Sequence, residues 1–348
     1  MDMGGQRMRT IACDIPIIHD ATSFYRAMGP LGQISRRNTN IGFSVLTSWN
    51  WAMLSGVDAV FMQRPYLDEH RQKFIIAKDE NIKVWLDYDD NLFDVPTDNP
   101  TFLGYGAKNI QENLMFLLRE ADIVTVSTEA LSKIYRKFAK NVLVIPNGID
   151  LQRFQRPVKM PERAKVVAWR GSRTHHRDVM MFSRQIAEVS RREKNKDWQW
   201  HFIGDNLWFL TDQMPHNQTY VMKPMDIRVY HMHLAKLAPA AMMVPLDNSS
   251  FNQCKSNIAW IEAAWSGAIC IGPDWEEWKR PGMVTYTGAN HLRDILQTLI
   301  NGDINVAELN QLSWEYIKDT LDLQRVNDLR IAVICELLGC GPKDLGPV

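Results

Sequence analysis

The chain has 348 residues, 45% of them hydrophobic, and its 40 Lys and Arg balance its 40 Asp and Glu. That length accommodates two domains with separate cores, and a formal net charge of zero supplies no bulk attraction to nucleic acid, although a local basic groove is compatible with overall balance. No apolar stretch is long enough for a membrane span, and the first ten residues lack the apolar run of a secretory leader. The five cysteines, Cys13, Cys254, Cys270, Cys335 and Cys340, are odd in number and irregularly spaced. They fit neither a zinc site nor a disulfide framework and read as reduced thiols of a cytoplasmic protein.

In chain order, residues 9–15 form a first predicted strand, and 22–31 a short helix or structured loop. Strands follow at 42–47 and 59–63, a charged amphipathic helix at 68–80, and a strand at 83–88 that ends in an acidic turn. Leu114, Leu117 and Leu118 share one face of a helix at 109–120. A strand at 123–127 leads to a helix capped by Thr128, and a strand at 142–145 closes the set. Residues 151–164 contain Pro157 and Pro161 without periodicity and read as a linker. The pattern then restarts with strands at 165–169, 198–203, 220–222, 241–244 and 268–271. Helices lie between them at 178–192, 227–237 and 257–265, then at 291–300 and along 306–338. Strand–helix alternation of this kind predicts parallel, doubly wound sheets.

The segment from Val142 to Asp150 reads Val-Leu-Val-Ile-Pro-Asn-Gly-Ile-Asp. A buried strand stops at Pro146, and Asn147-Gly148 supplies a turn that tolerates positive φ. This resembles the Pro-Asn-Gly-(Val/Ile)-Asp signature of nucleotide-sugar glycosyltransferases with two facing Rossmann-like domains, the GT-B architecture. Phe251 to Gly272 carries the second specific motif. Ser256 or Asn257 can cap a helix whose N-terminus suits a diphosphate. Lys255 adds a point charge there, Glu262 lies more than a turn further on, and Gly267 stops the helix. The motif resembles the donor-binding helix of family 4 enzymes of that architecture, which implies that Glu262 holds the ribose. Those enzymes often carry two glutamates eight residues apart; Glu262 matches the second and Cys254 stands where the first would be.

Trp169 to Asp178 is an apolar strand running into Gly171-Ser172 and a helix, the geometry of a phosphate-binding turn. The resemblance implies that this turn supplies a basic side chain, Arg170 or Arg173, to the donor diphosphate; His175 and His176 could contact the sugar or cap the helix. After the first strand, His19, Asp20, Ser23, Tyr25 and Arg26 are polar candidates at a sheet edge. Asp87, Asp89 and Asp90 crowd another strand end. Three adjacent carboxylates need a cation, a base role or solvent. An acceptor-side or structural role is favoured, with a divalent metal at Asp87 and Asp89 as the lesser alternative. Arg64 ends a neighbouring strand and is placed to pair with this cluster.

The resemblance implies an α/β, GT-B fold with a C-terminal helix crossing back. Residues 1–150 would form an acceptor domain, 151–164 the linker, 165–305 the nucleotide-sugar donor domain and 306–348 the bracing helix. It implies a cytoplasmic hexosyl- or pentosyltransferase that uses a nucleotide-sugar donor, foremost a UDP-sugar, with retention and no obligatory metal. The expected catalytic residues are Arg170, Lys255, Asp89 and His19. Gly171, Ser172, Arg173, Lys255, Ser256, Asn257 and Glu262 are the expected donor-binding residues. The acceptor would be a glycan or a hydroxymethylated pyrimidine in bacteriophage DNA, with Arg36, Arg37, Arg64, Arg71 and Lys73 as a basic face for the latter. The alternative is a non-catalytic nucleotide- or sugar-binding protein on a degenerate scaffold of the same kind.

Overall fold

A computed structural model describes residues 7–18, 20–46, 49, 51–156 and 164–346. Two six-stranded sheets, all parallel, dominate it. The first contains β1 (Arg9–Asp14), β2 (Ile41–Val45), β3 (Ala59–Gln63), β4 (Lys83–Tyr88), β5 (Ile123–Val126) and β6 (Val142–Val144), in the order β2-β1-β3-β4-β5-β6. The second contains β7 (Ala164–Arg170), β8 (Gln199–Ile203), β9 (Thr219–Met222), β10 (Pro239–Met243), β11 (Ile269–Pro273) and β12 (Val284–Tyr286). Read from β9, its order is β9-β8-β7-β10-β11-β12. That is the doubly wound order in which the sheet reverses direction between its first and fourth strands. β3, β10 and β11 are buried at every position, as strands covered on both faces must be, and this explains their unbroken apolar sequences.

Several elements differ from expectation. The segment after β1 is helical from Ala21 to Arg37, with a π-helical turn at Phe24–Met28 in its middle. The expected helix at 178–192 is two, His176–Met180 and Ser183–Ser190. The long C-terminal helix is also two, Val306–Thr320 and Leu323–Leu338. It breaks because Leu321 and Leu323 turn their backbone outward to Ile149, exchanging hydrogen bonds of 3.0 and 2.9 Å, while Asp322 caps the second piece. β12 has only three residues and no periodicity to betray it. Residues 157–163 of the expected linker and Thr47 of the expected second strand lie outside the described residues.

The helix Leu323–Leu338 returns to the first domain. Asn327 donates to the carbonyl of Pro30 and to Gln33 Oε1. The glycine of the midpoint turn is explained by this packing rather than by positive φ, which Gly148 does not adopt. A Cβ there would sit 2.9 Å from the Leu321 carbonyl oxygen.

His201 on β8 is buried, stacked on Tyr220, with Nε2 against Gln199 Oε1. Burial, with His233 nearby, pushes its pKa from 6.5 down to about 4. The unfolded chain therefore binds one more proton than the folded chain between those values. Stability should fall as pH drops from 6.5 through 4, by on the order of 3 kcal/mol from this residue. Urea melts at pH 7 and 4.5 check this: His201→Gln should lose less stability on acidification than the native chain.

Candidate functional site

A cleft of about 330 Å³ opens where the carboxyl ends of the two sheets face each other. From the first domain it is lined by Ala21 and Thr22 after β1, Arg64 after β3, and Asp89 and Asp90 after β4. From the second come Trp169 and Arg170 at the end of β7, Ser172, Thr174 and His175 in the following turn, and Met242 to Leu246 at the end of β10. Lys255, Ser256, Ile258 and Ala259, at the start of the helix Ile258–Ser266, complete it. In both sheets the two strands that flank the reversal of strand order, β1 and β3 in the first and β7 and β10 in the second, contribute to this lining, and that is the place where open α/β sheets hold ligands.

The acidic cluster divides in two. Asp87 is 2% exposed and points inward, receiving Arg26 Nε at 3.0 Å, Arg26 Nη2 at 2.7 Å and Thr125 Oγ1 at 2.6 Å. Both its oxygens are thus occupied by protein donors, which overturns a divalent metal shared between Asp87 and Asp89. Among the described residues no group of three or more His, Cys, Asp or Glu is arranged to hold a metal ion. Asp89 and Asp90 face the cleft, where Arg64 pairs with both, as its place in the sequence suggested. Arg64 does so from a left-handed backbone, φ 51°, a conformation that a residue with a side chain adopts rarely and mostly at functional positions. Asp90 also receives Lys255 Nζ at 2.7 Å. Burial works to raise the Asp90 carboxyl, but Lys255 and Arg64 outweigh it and hold it at about 2. Asp89 is raised from its ordinary value, burial outweighing Arg64.

The helix Ile258–Ser266 projects its N-terminus into the cleft, with unpaired N–H groups and partial positive charge. Neither expected side chain caps it. Asn257 donates to the Glu277 carbonyl, and Ser256 Oγ accepts from Asn147 Nδ2 of the midpoint motif at 2.9 Å. The expectation of a Ser or Asn cap is therefore corrected: both side chains are spent on tertiary contacts, which leaves the N–H groups of Ile258 and Ala259, both in the cleft lining, without a side-chain cap.

Glu262 is 1% exposed, and both its oxygens are engaged. Oε1 accepts from Tyr25 OH at 2.9 Å; Oε2 accepts from Arg170 Nε at 2.9 Å and Tyr230 OH at 3.0 Å. The expected open carboxylate for ribose hydroxyls is not present in this conformation. Tyr25 comes from the first domain, so Glu262 instead joins the two domains. Arg170 reaches the cleft with its charge balanced: burial works against its protonation, but Glu262 outweighs burial and raises its pKa.

The turn after β7 divides its residues. Ser172, Thr174 and His175 line the cleft; Arg173 is exposed and lines a neighbouring cavity of about 210 Å³ with Asp98 and Arg177, so it does not join Arg170. Gly171 is needed because a Cβ there would lie 2.5 Å from the Trp169 ring, which itself lines the cleft. His175 Nδ1 contacts Asp178 Oδ2 at 2.9 Å. Asp178 is 5% exposed and also accepts from Asn252 Nδ2 and the Asp247 amide. That carboxylate fixes the imidazole, an arrangement readable in hindsight from the His-x-x-Asp spacing at a helix start. His176 instead pairs with Asp205.

Of the loop after β1, His19 lies outside the described residues. Asp20 caps the helix at Ala21, Ser23 donates to Gln63, and Tyr25 and Arg26 are buried in the two networks above. Of the five residues expected to form a basic face, Arg64, Arg36 and Lys73 have carboxylate partners. Arg36 pairs with Asp150, Lys73 with Asp14 and Glu69, and Arg71 lies over Phe116. Cys254 is buried and its thiol is pushed up to about 11, mainly by burial.

No protein-family model and no curated protein matches the sequence. Solved structures do match in fold. HepE of Anabaena in complex with UDP-glucose aligns with a TM-score of 0.68 at 12% identity, over 95% of this chain and 100% of that one. Sucrose-phosphate synthase from Thermosynechococcus elongatus aligns with a TM-score of 0.69 at 12% identity, over 95% and 99%. TarM aligns with a TM-score of 0.60 at 13% identity, over 79% of this chain and 54% of TarM, so the chain spans about half of that protein's length. These likenesses show the fold: two facing Rossmann-like domains, the GT-B architecture, with a C-terminal helix crossing back.

Proposed function

We propose that this chain is a glycosyltransferase that moves a sugar from a nucleoside-diphosphate sugar to an acceptor hydroxyl. The observation that carries this reading is the uncapped N-terminus of the helix Ile258–Ser266, opening beside Lys255 into a cleft between two sheets at their strand reversals. The UDP-glucose bound by HepE supports a UDP-sugar as the donor class. The diphosphate would lie across Lys255, Ser256 and the helix N-terminus, facing Ser172, Thr174 and His175. Arg170, held by Glu262, would extend that wall. As the bond from the sugar to the β-phosphate breaks, fixed N–H groups and cations would stabilise the charge gathering on the phosphate. The family 4 resemblance favours retention, and closure of the cleft would keep water from the donor.

For the acceptor, a hydroxyl on a glycan is preferred to duplex DNA, because three of the five basic residues proposed for a DNA face are paired with carboxylates. A second reading, a non-catalytic nucleotide- or sugar-binding protein, draws on buried Cys254 in place of a first glutamate and on the engaged Glu262. Release of nucleoside diphosphate from the donor separates the two readings.

The test of the donor site is thermal shift with UDP, GDP, ADP, dTDP and CMP on the native chain and on Lys255→Ala. A nucleotide at a hundred times its dissociation constant should stabilise the native fold by about 2.7 kcal/mol. One diphosphate should raise the native melting temperature and leave Lys255→Ala unmoved. No shift with any of them would remove the donor site from this cleft.

A further inference from the structure

In the conformation described, Lys255 is not waiting free for a phosphate. Its ammonium lies 2.7 Å from Asp90 Oδ1 and 4.4 Å from the centre of the Phe251 ring. Asp90 belongs to the first domain and Lys255 to the second, and the two side chains are 19% and 20% exposed. Asp90 is not needed to balance Arg64, which keeps Asp89 as its closer partner. A carboxylate presents to an ammonium what a phosphate presents: negative charge and oxygen acceptors. The segment that follows Asp90 bridges the cleft by further polar contacts. Asp94 accepts from Ser250, Arg177 pairs with Asp98 at 2.8 Å, and Asn99 Nδ2 donates to the Thr174 carbonyl at 3.4 Å. The Asp98–Arg177 pair is about half exposed on each side, and exposed pairs of this kind are weak.

We propose that Asp90 is an internal competitor for the donor diphosphate: it occupies Lys255 in the empty cleft and yields that cation when a diphosphate binds. The inference rests on the donor-site reading above and adds a residue that sets donor affinity. Exchange of one anion for another on Lys255 involves no covalent step. It leaves Asp90 with Arg64, so neither carboxylate of the cleft is stranded. The segment 90–99 thereby loses one of its bonds to the second domain as the ligand gains one.

The experiment measures the affinity of inorganic pyrophosphate, and of whichever nucleoside diphosphate stabilises the native chain, for the native protein, Asp90→Asn and Lys255→Ala. Asp90→Asn preserves shape and frees the lysine, and should bind both probes several-fold to about tenfold more tightly. Lys255→Ala should lose affinity for both. If Asp90→Asn folds poorly, Asp90→Ser makes the same comparison. Unchanged or weaker binding by the Asp90 variants, with the native chain binding normally, would overturn the competitor role and leave the donor site standing. Absence of binding by the native chain and by both Asp90 variants would overturn the donor-site reading, and the competitor role with it.

Discussion

Asp87→Asn should cost more stability than Arg26→Ala, although both break the same ion pair. Arg26 and Asp87 are 1% and 2% exposed and meet through two short bonds. Removing one partner of a buried pair typically costs about 3–5 kcal/mol, because the other charge is left unpaired in the interior. Here the two ends are not equivalent. Arg330, from the returning helix, is 1% exposed and donates to Asn327. Burial and the proximity of Arg26 press its pKa down to about 9, with Asp87 as the compensating charge. Asp87→Asn leaves two buried, mutually repelling guanidinium groups without the carboxylate that both depend on. Arg26→Ala leaves one carboxylate with Arg330 still near it, but also frees the Ile145 carbonyl that Arg26 caps. Urea unfolding should place Arg26→Ala near the lower end of that range and Asp87→Asn at or beyond its upper end. A loss below about 1 kcal/mol for Asp87→Asn would overturn the dependence of both guanidinium groups on this carboxylate.

Glu262→Ala should also destabilise the chain by about 3–5 kcal/mol, since it strips Arg170 of its partner, leaves the hydroxyl of Tyr230 without its acceptor and leaves that of Tyr25 with His231 Nε2 alone. The variant is therefore a poor probe of ligand binding by melting temperature alone, as it would melt early whether or not it bound. Affinity measured directly on Glu262→Gln separates the two roles. Were Glu262 to grip the ribose, nucleoside diphosphate would bind more weakly while pyrophosphate stayed the same. The network described predicts that both ligands change alike, because Arg170 alone transmits the effect. Weakening confined to the nucleoside ligand would restore the ribose role and require Tyr25 to swing away.

The parts of this molecule that were legible in its sequence are those in which local spacing decides. Unbroken apolar runs gave the strands, and the order of lysine, serine, helix and glycine from Lys255 to Gly267 put a helix N-terminus at the cleft. What could not be read was pairing over distance. Tyr25 reaches Glu262 across 237 positions and Arg26 reaches Asp87 across 61. Nothing in a tyrosine's neighbours reveals that its hydroxyl will meet a carboxylate in another domain. The same limit explains why Ser256 and Asn257 read as caps: their type suits a cap, and only the fold supplies the competing partners Asn147 and Glu277. The break at Leu321 has no local signal because apolar periodicity continues through it; the cause is a single bridge between Ile149 and Asp322.

The return of the last long helix has a consequence for the order in which the molecule is made. Asn327 closes on Pro30 from 297 positions away, so the surface of the earlier of the two domains is covered by a segment translated after the later one. A domain usually folds as a unit as it leaves the ribosome. This one must hold its helix Gly29–Arg37 uncovered, and Asp87 without Arg330, until the second domain has been translated. The early domain is therefore the later one to mature, and an elongating chain exposes there a half-built interior that only the helix following its second domain can close.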